Sequence, residues 1–176
     1  MGLRGRDNEL ATIGELVSAT TRGAGGVLLV EGPPGIGKTR LLAEAAAIAA
    51  RAGLRQVSAE AFESQRAVPF ATLLTALLDS RLWRAEAAPK APELGFWLIE
   101  EIHDVLEAAA LDGPLMVALD DLHCADAGTL LALRTLVPRT AELPILWSLS
   151  LRPRSPALRE LTGCLGRARR IVLRPL

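Results

Sequence analysis

The sequence predicts an α/β fold, a five-stranded parallel sheet between two layers of helices, and three observations lead to it. Short apolar runs alternate with helix-periodic segments along the chain, which is the rhythm of βαβ units. Runs such as Val27–Val30 and Leu115–Leu119 are continuous rather than alternating, as strands covered on both faces must be. Half of the 176 residues are hydrophobic and only 3% are aromatic, a mix that favours helices over an aromatic-rich sandwich.

The elements follow in order. Thr12–Thr21 reads as a helix, broken by Arg22–Gly25, and 27–31 is the first strand. Gly32–Gly37 interrupts the apolar run. Lys38–Arg51 then carries Leu41, Leu42, Ala45, Ile48 and Ala49 on one helical face, and Gly53 ends the helix. A weaker strand spans 55–60, and Pro69 opens a helix bearing Leu73, Leu74, Leu77 and Leu78. Residues 84–93, with two prolines and several small residues, read as a loop. Leu94–Ala110 returns to helix until Asp112-Gly113-Pro114 stops it. The strand 115–120, a helix over Ala127–Val137, the strand 145–151, a short helix near Pro156–Leu165 and a last strand at 170–174 complete the chain.

Composition narrows the function classes. The 20 basic and 20 acidic residues balance, so the whole chain is no nucleic-acid polycation, and its apolar content excludes disorder. Two cysteines, Cys124 and Cys164, make no disulfide framework and point to a reducing cytoplasm. The start, MGLRGRDNEL, lacks a hydrophobic signal core, and no apolar stretch reaches the ~18 residues of a membrane span. A cytoplasmic protein with no membrane contact is expected.

Gly32-Pro33-Pro34-Gly35-Ile36-Gly37-Lys38-Thr39 fits G-x-x-x-x-G-K-[ST] in full, between a buried strand and an amphipathic helix. Glycines let the backbone curl so that successive N–H groups face phosphate oxygens, and the helix N-terminus adds its positive end. Lys38 is placed for the β- and γ-phosphates and the Thr39 hydroxyl for Mg²⁺. Of the 20 basic residues only Lys38 and Lys90 are lysines, and one falls at this position. The eight motif residues and Arg40 are therefore the candidate nucleotide-binding set of a P-loop NTPase fold.

A second element must hold the metal. Leu115-Met116-Val117-Ala118-Leu119-Asp120-Asp121 is a buried strand ending in two carboxylates, for which few structural reasons exist. Asp120 is the candidate Mg²⁺ ligand, through water, and Asp121 the candidate general base for the attacking water.

The run LMVALDDLHCAD resembles the Walker B segment of STAND-type P-loop ATPases, particularly the ATPase module of large LuxR-family, MalT-like transcriptional regulators. Leu122, His123, Ala125 and Asp126 match that segment, while Cys124 stands where Trp is usual. Arg4-Gly5-Arg6-Asp7-Asn8-Glu9-Leu10 resembles the family's N-terminal box, which implies Arg6 beside the adenine. The resemblance runs from Gly5 to Pro175. It implies strand order 5-1-4-3-2, which puts strand 145–151 between the P-loop strand and the Asp120 strand. It also implies that Ser150 and Arg152, at that strand's end, report on the γ-phosphate. ATP or ADP with Mg²⁺ is the implied ligand, and slow hydrolysis serving as a conformational switch is the implied activity. Self-association in the ATP state is expected. The implied lid, winged-helix, sensor and DNA-binding domains lie outside these residues, so no direct DNA binding by this chain is expected.

Other readings of the same residues stay open. The P-loop also suits a non-catalytic nucleotide-binding interaction module, or a small kinase, for which no Arg-rich acceptor lid is evident. His123 senses the γ-phosphate, couples the acid pair to the next helix, or satisfies backbone groups after the strand, and Asp126 reads as the N-cap of the next helix. The seven arginines of residues 151–176 read as a solvated face, and the three tryptophans as packing residues.

Overall fold

The computed structural model describes residues 5–83, 94–152 and 156–175. The predicted loop at 84–93 and Arg4 of the N-terminal box lie outside the described residues. Helix α1 (Asp7–Thr21) leads to β1 (Gly26–Glu31) and α2 (Lys38–Arg51). Strand β2 (Arg55–Glu60), a short 3₁₀ turn (Glu63–Gln65), α3 (Ala71–Asp79) and α4 (Leu94–Asp112) follow. Then come β3 (Leu115–Asp120), a second 3₁₀ turn (Leu122–Cys124), α5 (Ala127–Arg139), β4 (Ile145–Leu151), α6 (Pro156–Cys164) and β5 (Arg169–Val172).

The five strands form one parallel sheet in the order β2-β3-β4-β1-β5, the expected 5-1-4-3-2 read from the other edge. Strands β3 and β4 are buried along their whole length, which is why their sequences show no polar alternation. One face packs Ile13 and Val17 of α1 and Leu41 and Ala45 of α2 against Leu28, Met116 and Leu146. The other packs Leu73, Ile102, Leu106 and Leu133 of α3, α4 and α5 against Val117, Leu119, Trp147 and Leu149. Each fully buried Leu or Ile contributes about 1.5–3 kcal/mol by leaving water.

The register matters for the site. Val30 pairs with Ser150 across β1 and β4, and Leu119 pairs with Leu149 across β3 and β4. The P-loop, the Asp120–Asp121 corner and the Ser150–Arg152 segment therefore leave the sheet side by side.

Several boundaries move for physical reasons. Helix α1 starts at Asp7 rather than Thr12, because Asp7 and Glu9 suit the positive end of a helix although they add no apolar period. Pro69 does not itself open α3. Phe70 adopts a left-handed conformation (φ 61°) before the helix, and its N–H donates to Asp126 Oδ1 at 2.6 Å. Helix α5 runs past Val137 to Arg139 and carries Pro138 within its last turn, where no later turn of helix has to be bent around the proline. Strand β5 ends at Val172, yet the Leu173 N–H still donates to the Glu31 carbonyl at 2.8 Å.

Candidate functional site

The P-loop joins β1 to α2 as its sequence requires. Gly37 caps α2 at φ 100°, a left-handed conformation that glycine adopts without strain. Gly32 is needed for closeness: a Cβ there would lie 2.7 Å from Ile36 Cγ2 and 3.3 Å from Leu173 Cβ. The loop opens into a cleft of about 430 Å³ lined by Gly35, Gly37, Lys38, Thr39, Arg40, Ala43, Asp121 and Arg152. Thr39 is exposed there, whereas Lys38 is buried. The Lys38 ammonium donates to the Pro33 carbonyl at 3.3 Å and lies 3.8 Å from Asp121 Oδ1.

At the end of β3 the acid pair is held by its neighbour strand. Asp120 Oδ1 accepts the Ser150 hydroxyl and the Asp121 N–H, the latter at 2.9 Å. That N–H is shared with Ser150 Oγ at 3.0 Å. Asp121 itself is left-handed (φ 53°, ψ 42°), a conformation Asp tolerates better than most residues, and it turns the chain sharply into the second 3₁₀ turn. Both bonds to Asp120 come from neutral donors, so neither of these partners sets a cation on the carboxylate.

The structure brings Lys38, Thr39, Arg40, Asp121 and Arg152 to one cleft, with Asp120 and Ser150 directly behind Asp121. Ser150 is fully buried and engaged with the acid pair. Arg152 faces two spaces: the P-loop cleft, and a neighbouring cavity of about 460 Å³ lined by Glu31, Gly32, Pro33, Pro34, Val172 and Leu173. Its Nε is buried with no hydrogen-bond partner, as are Asp121 Oδ1 and His123 Nδ1. Arg6 does not line the cleft. It is buried, donating to Glu9 Oε1 at 3.0 Å and to the Arg174 carbonyl at 2.7 Å, and so ties the start of α1 to the segment after β5.

One feature of the site escaped sequence reasoning. Glu31, the last residue of β1, is buried and ion-paired with Arg170 of β5. An acid at the end of a buried strand was the signal, the same one that singled out Asp120. His123 Nδ1 lies 3.6 Å from Asp121 Oδ1. Burial pushes the His123 pKa down, Arg152 and Lys38 add to this, and Asp121 and Asp120 oppose it. Burial also pushes the Cys124 thiol up, so it stays protonated at neutral pH. Asp126 is the N-cap of α5 as read, accepting the Thr129 N–H at 2.7 Å.

A family model for the AAA ATPase domain matches residues 2–148. The chain belongs to the AAA ATPase domain family. Such a domain binds nucleotide, usually with Mg²⁺, and the P-loop and acid pair are in place for it here. Solved structures agree on the fold. Cdc6p from Pyrobaculum aerophilum is 17% identical with a TM-score of 0.68, covering 99% of this chain and 46% of its own. The Aeropyrum pernix Orc1 protein, solved in complex with DNA, is 20% identical with a TM-score of 0.66, covering 99% and 46%. The Drosophila ORC structure bound to DNA is 19% identical with a TM-score of 0.59, covering 97% and 43%. This AAA ATPase domain thus spans under half the length of those chains. No curated protein gives a significant sequence match. Among the described residues, no helix is long and apolar enough to cross a membrane.

Proposed function

We propose that this AAA ATPase domain is the nucleotide switch of a signal-responsive transcriptional regulator of the STAND, LuxR/MalT-like type, binding Mg-ATP and hydrolysing it slowly. The observation that carries the nucleotide part is the cleft itself. Lys38, Asp121 and Arg152 line it together, and two of their polar atoms, Asp121 Oδ1 and Arg152 Nε, are buried there without partners. Burying such atoms costs about 1–3 kcal/mol each, and a phosphate oxygen accepting from Arg152 Nε would return that atom's share. The regulator part rests on three motifs in one order: the Gly5–Leu10 box, the P-loop and the LDDLHCAD segment.

In this reading Gly32–Thr39 backbone N–H groups and the N-terminus of α2 hold the phosphates, with Lys38 leaving Asp121 to join them. Arg40 and Arg152 add positive charge, and Arg6 supports the adenine end through its bond to the segment after β5. The donor set fits Mg²⁺, since the Thr39 hydroxyl and the Asp120 carboxylate are hard oxygens and Asp120 is held only by neutral donors. When bound, the ion neutralises charge developing on the phosphates. Asp121 takes the proton of the attacking water, and Ser150 keeps both acids in register. The domain acts in the cytoplasm. Lid, winged-helix, sensor and DNA-binding parts of the same polypeptide complete the regulator and carry DNA recognition, and ATP promotes self-association.

Phosphate release from Mg-ATP, measured beside a Lys38→Ala control, tests this. Release above the control, independent of added phosphoacceptors, is expected. Release only in the presence of an acceptor would make it a kinase, and saturable binding without release an interaction module.

A further inference from the structure

The acid pair has a third partner that the proposed reaction does not yet use. Asp121 is pinned through its backbone: its N–H is shared by Asp120 Oδ1 and Ser150 Oγ. Its left-handed turn is closed by the Cys124 N–H on the Asp121 carbonyl at 2.8 Å and anchored by Leu122, which is fully buried. A turn fixed at both ends sets where the residue two places on must point. It delivers the His123 imidazole to the Asp121 carboxylate, with Nδ1 3.6 Å from Oδ1.

Both atoms of that pair are buried and neither has a hydrogen-bond partner. A shift of a few tenths of an ångström closes the gap to bonding distance. What competes for Asp121 Oδ1 is Lys38, 3.8 Å away and shared with the Pro33 carbonyl. Incoming phosphates draw a P-loop lysine to themselves. That removes the cation from Asp121 Oδ1 and leaves the imidazole as its neighbour.

The geometry points to His123 as a positioning residue for Asp121: its Nδ1–H donates to Asp121 Oδ1 once Lys38 turns to the phosphates, so that Oδ2 is aimed at the attacking water. This rests on the hydrolytic reading of the cleft. In the step it serves, the water oxygen bonds to the γ-phosphorus and the bond from that phosphorus to the β,γ-bridging oxygen breaks. The electron pair of that bond leaves on ADP, and the water proton goes to Asp121 Oδ2. Burial keeps the imidazole neutral near pH 7, so it has one N–H to give and can be held in the tautomer this bond requires.

Two measurements on the whole chain test the assignment. The first is single-turnover phosphate release alongside Mg-ATP affinity. His123→Ala should slow release about tenfold or more while leaving Kd within about twofold, since aim is lost but phosphate binding is not. His123→Asn, whose side-chain amide nitrogen stands where Nδ1 does, should recover most of the rate, whereas His123→Gln, which mimics Nε2, should not. In an Asp121→Asn background His123→Ala should cost nothing further. Equal rescue by Gln, or an undiminished His123→Ala loss in that background, overturns the role. The second is the imidazole tautomer by long-range ¹H–¹⁵N correlation, practical because His103 and His123 are the two histidines. With Mg²⁺ and the non-hydrolysable analogue AMPPNP, His123 should be the Nδ1–H tautomer, and an Nε2–H tautomer contradicts the proposal. Wild-type release no faster than that of Lys38→Ala overturns the hydrolytic reading and this role with it. Wild-type turnover indifferent to His123→Ala overturns this role alone.

Discussion

At the C-terminal ends of the strands, Asp121 Oδ1, His123 Nδ1 and Arg152 Nε are buried without hydrogen-bond partners. At the N-terminal ends lies a cavity of about 350 Å³, lined by Gly25, Thr140, Trp147 and Cys164 among others, where the buried polar side chains Thr140 and Trp147 are paired. There Trp147 Nε1 donates to Thr140 Oγ1 at 3.0 Å, and that hydroxyl donates to the Leu136 carbonyl at 2.9 Å. The two spaces are similar in size, so volume does not tell them apart. Unsatisfied groups do, because buried polar atoms left unpaired cost stability and gather at sites kept for another purpose. Ser148 Oγ is a fourth unpaired atom, set within β4, and nothing around it explains it.

The contrast can be broken first at the acid pair, where the largest effects belong. Asp120→Asn should abolish phosphate release and blunt the Mg²⁺ dependence of nucleotide binding, since a neutral amide holds the cation poorly. Asp121→Asn should slow release about a hundredfold, the lower range for loss of a general base, with Mg-ATP affinity nearly unchanged. Full activity in Asp121→Asn would remove it from the chemistry.

Asp126 ties the start of α3 to the start of α5, and its loss should affect stability instead. Asp126 Oδ1 accepts both the Phe70 and the Thr129 N–H, and Oδ2 accepts the Thr129 hydroxyl at 2.7 Å. Asp126→Ala loses a helix cap and orphans a buried N–H, so urea unfolding should show a loss of about 2–4 kcal/mol. Nucleotide affinity at temperatures well below the melt should stay close to wild type.

At the opposite end of the sheet, Gly25→Ala places a Cβ 2.4 Å from the Ala141 carbonyl oxygen. That overpacking should cost about 1–3 kcal/mol in urea while leaving the Mg-ATP Kd unchanged. A large change in Kd would mean that the two ends of the sheet are coupled.

The smallest effect is pH-linked. Burial holds the folded-state pKa of His123 below the ordinary 6.5, so the unfolded chain takes up this proton first as pH falls. Stability should therefore fall as pH drops below about 6.5, and His123→Asn should flatten that part of the curve. Melting temperatures taken between about pH 7.5 and 5.5 check the slope against the histidine's ordinary range.

Much of this was legible because it is local. The Gly32–Thr39 loop, the helix it opens and the strand it closes are contiguous, and the G-x-x-x-x-G-K-[ST] spacing encodes their geometry directly. The Asp120–Asp121 corner was legible for the same reason, as acids at the end of an apolar run. Strand order came only through resemblance, since nothing in the periodicity of 145–151 says which strands flank it. What the sequence does not show is long-range: Ser150 bonding acids 29 and 30 residues away, or Arg6 reaching the Arg174 carbonyl 168 residues on. Phe70 illustrates the boundary case. Its left-handed φ answers to Asp126, 56 residues downstream, so propensity placed the start of α3 too early.

Nucleotide-dependent stabilisation tests the central claim most directly, because a ligand that binds only the folded chain adds RT ln(1 + [L]/Kd). Mg-ATP at a hundredfold excess over its Kd should add about 2.7 kcal/mol, or roughly 5–10 °C in melting temperature, and Lys38→Ala should lose most of that shift. A wild-type chain that melts at the same temperature with and without saturating Mg-ATP, and that retains no nucleotide in equilibrium dialysis, would contradict it.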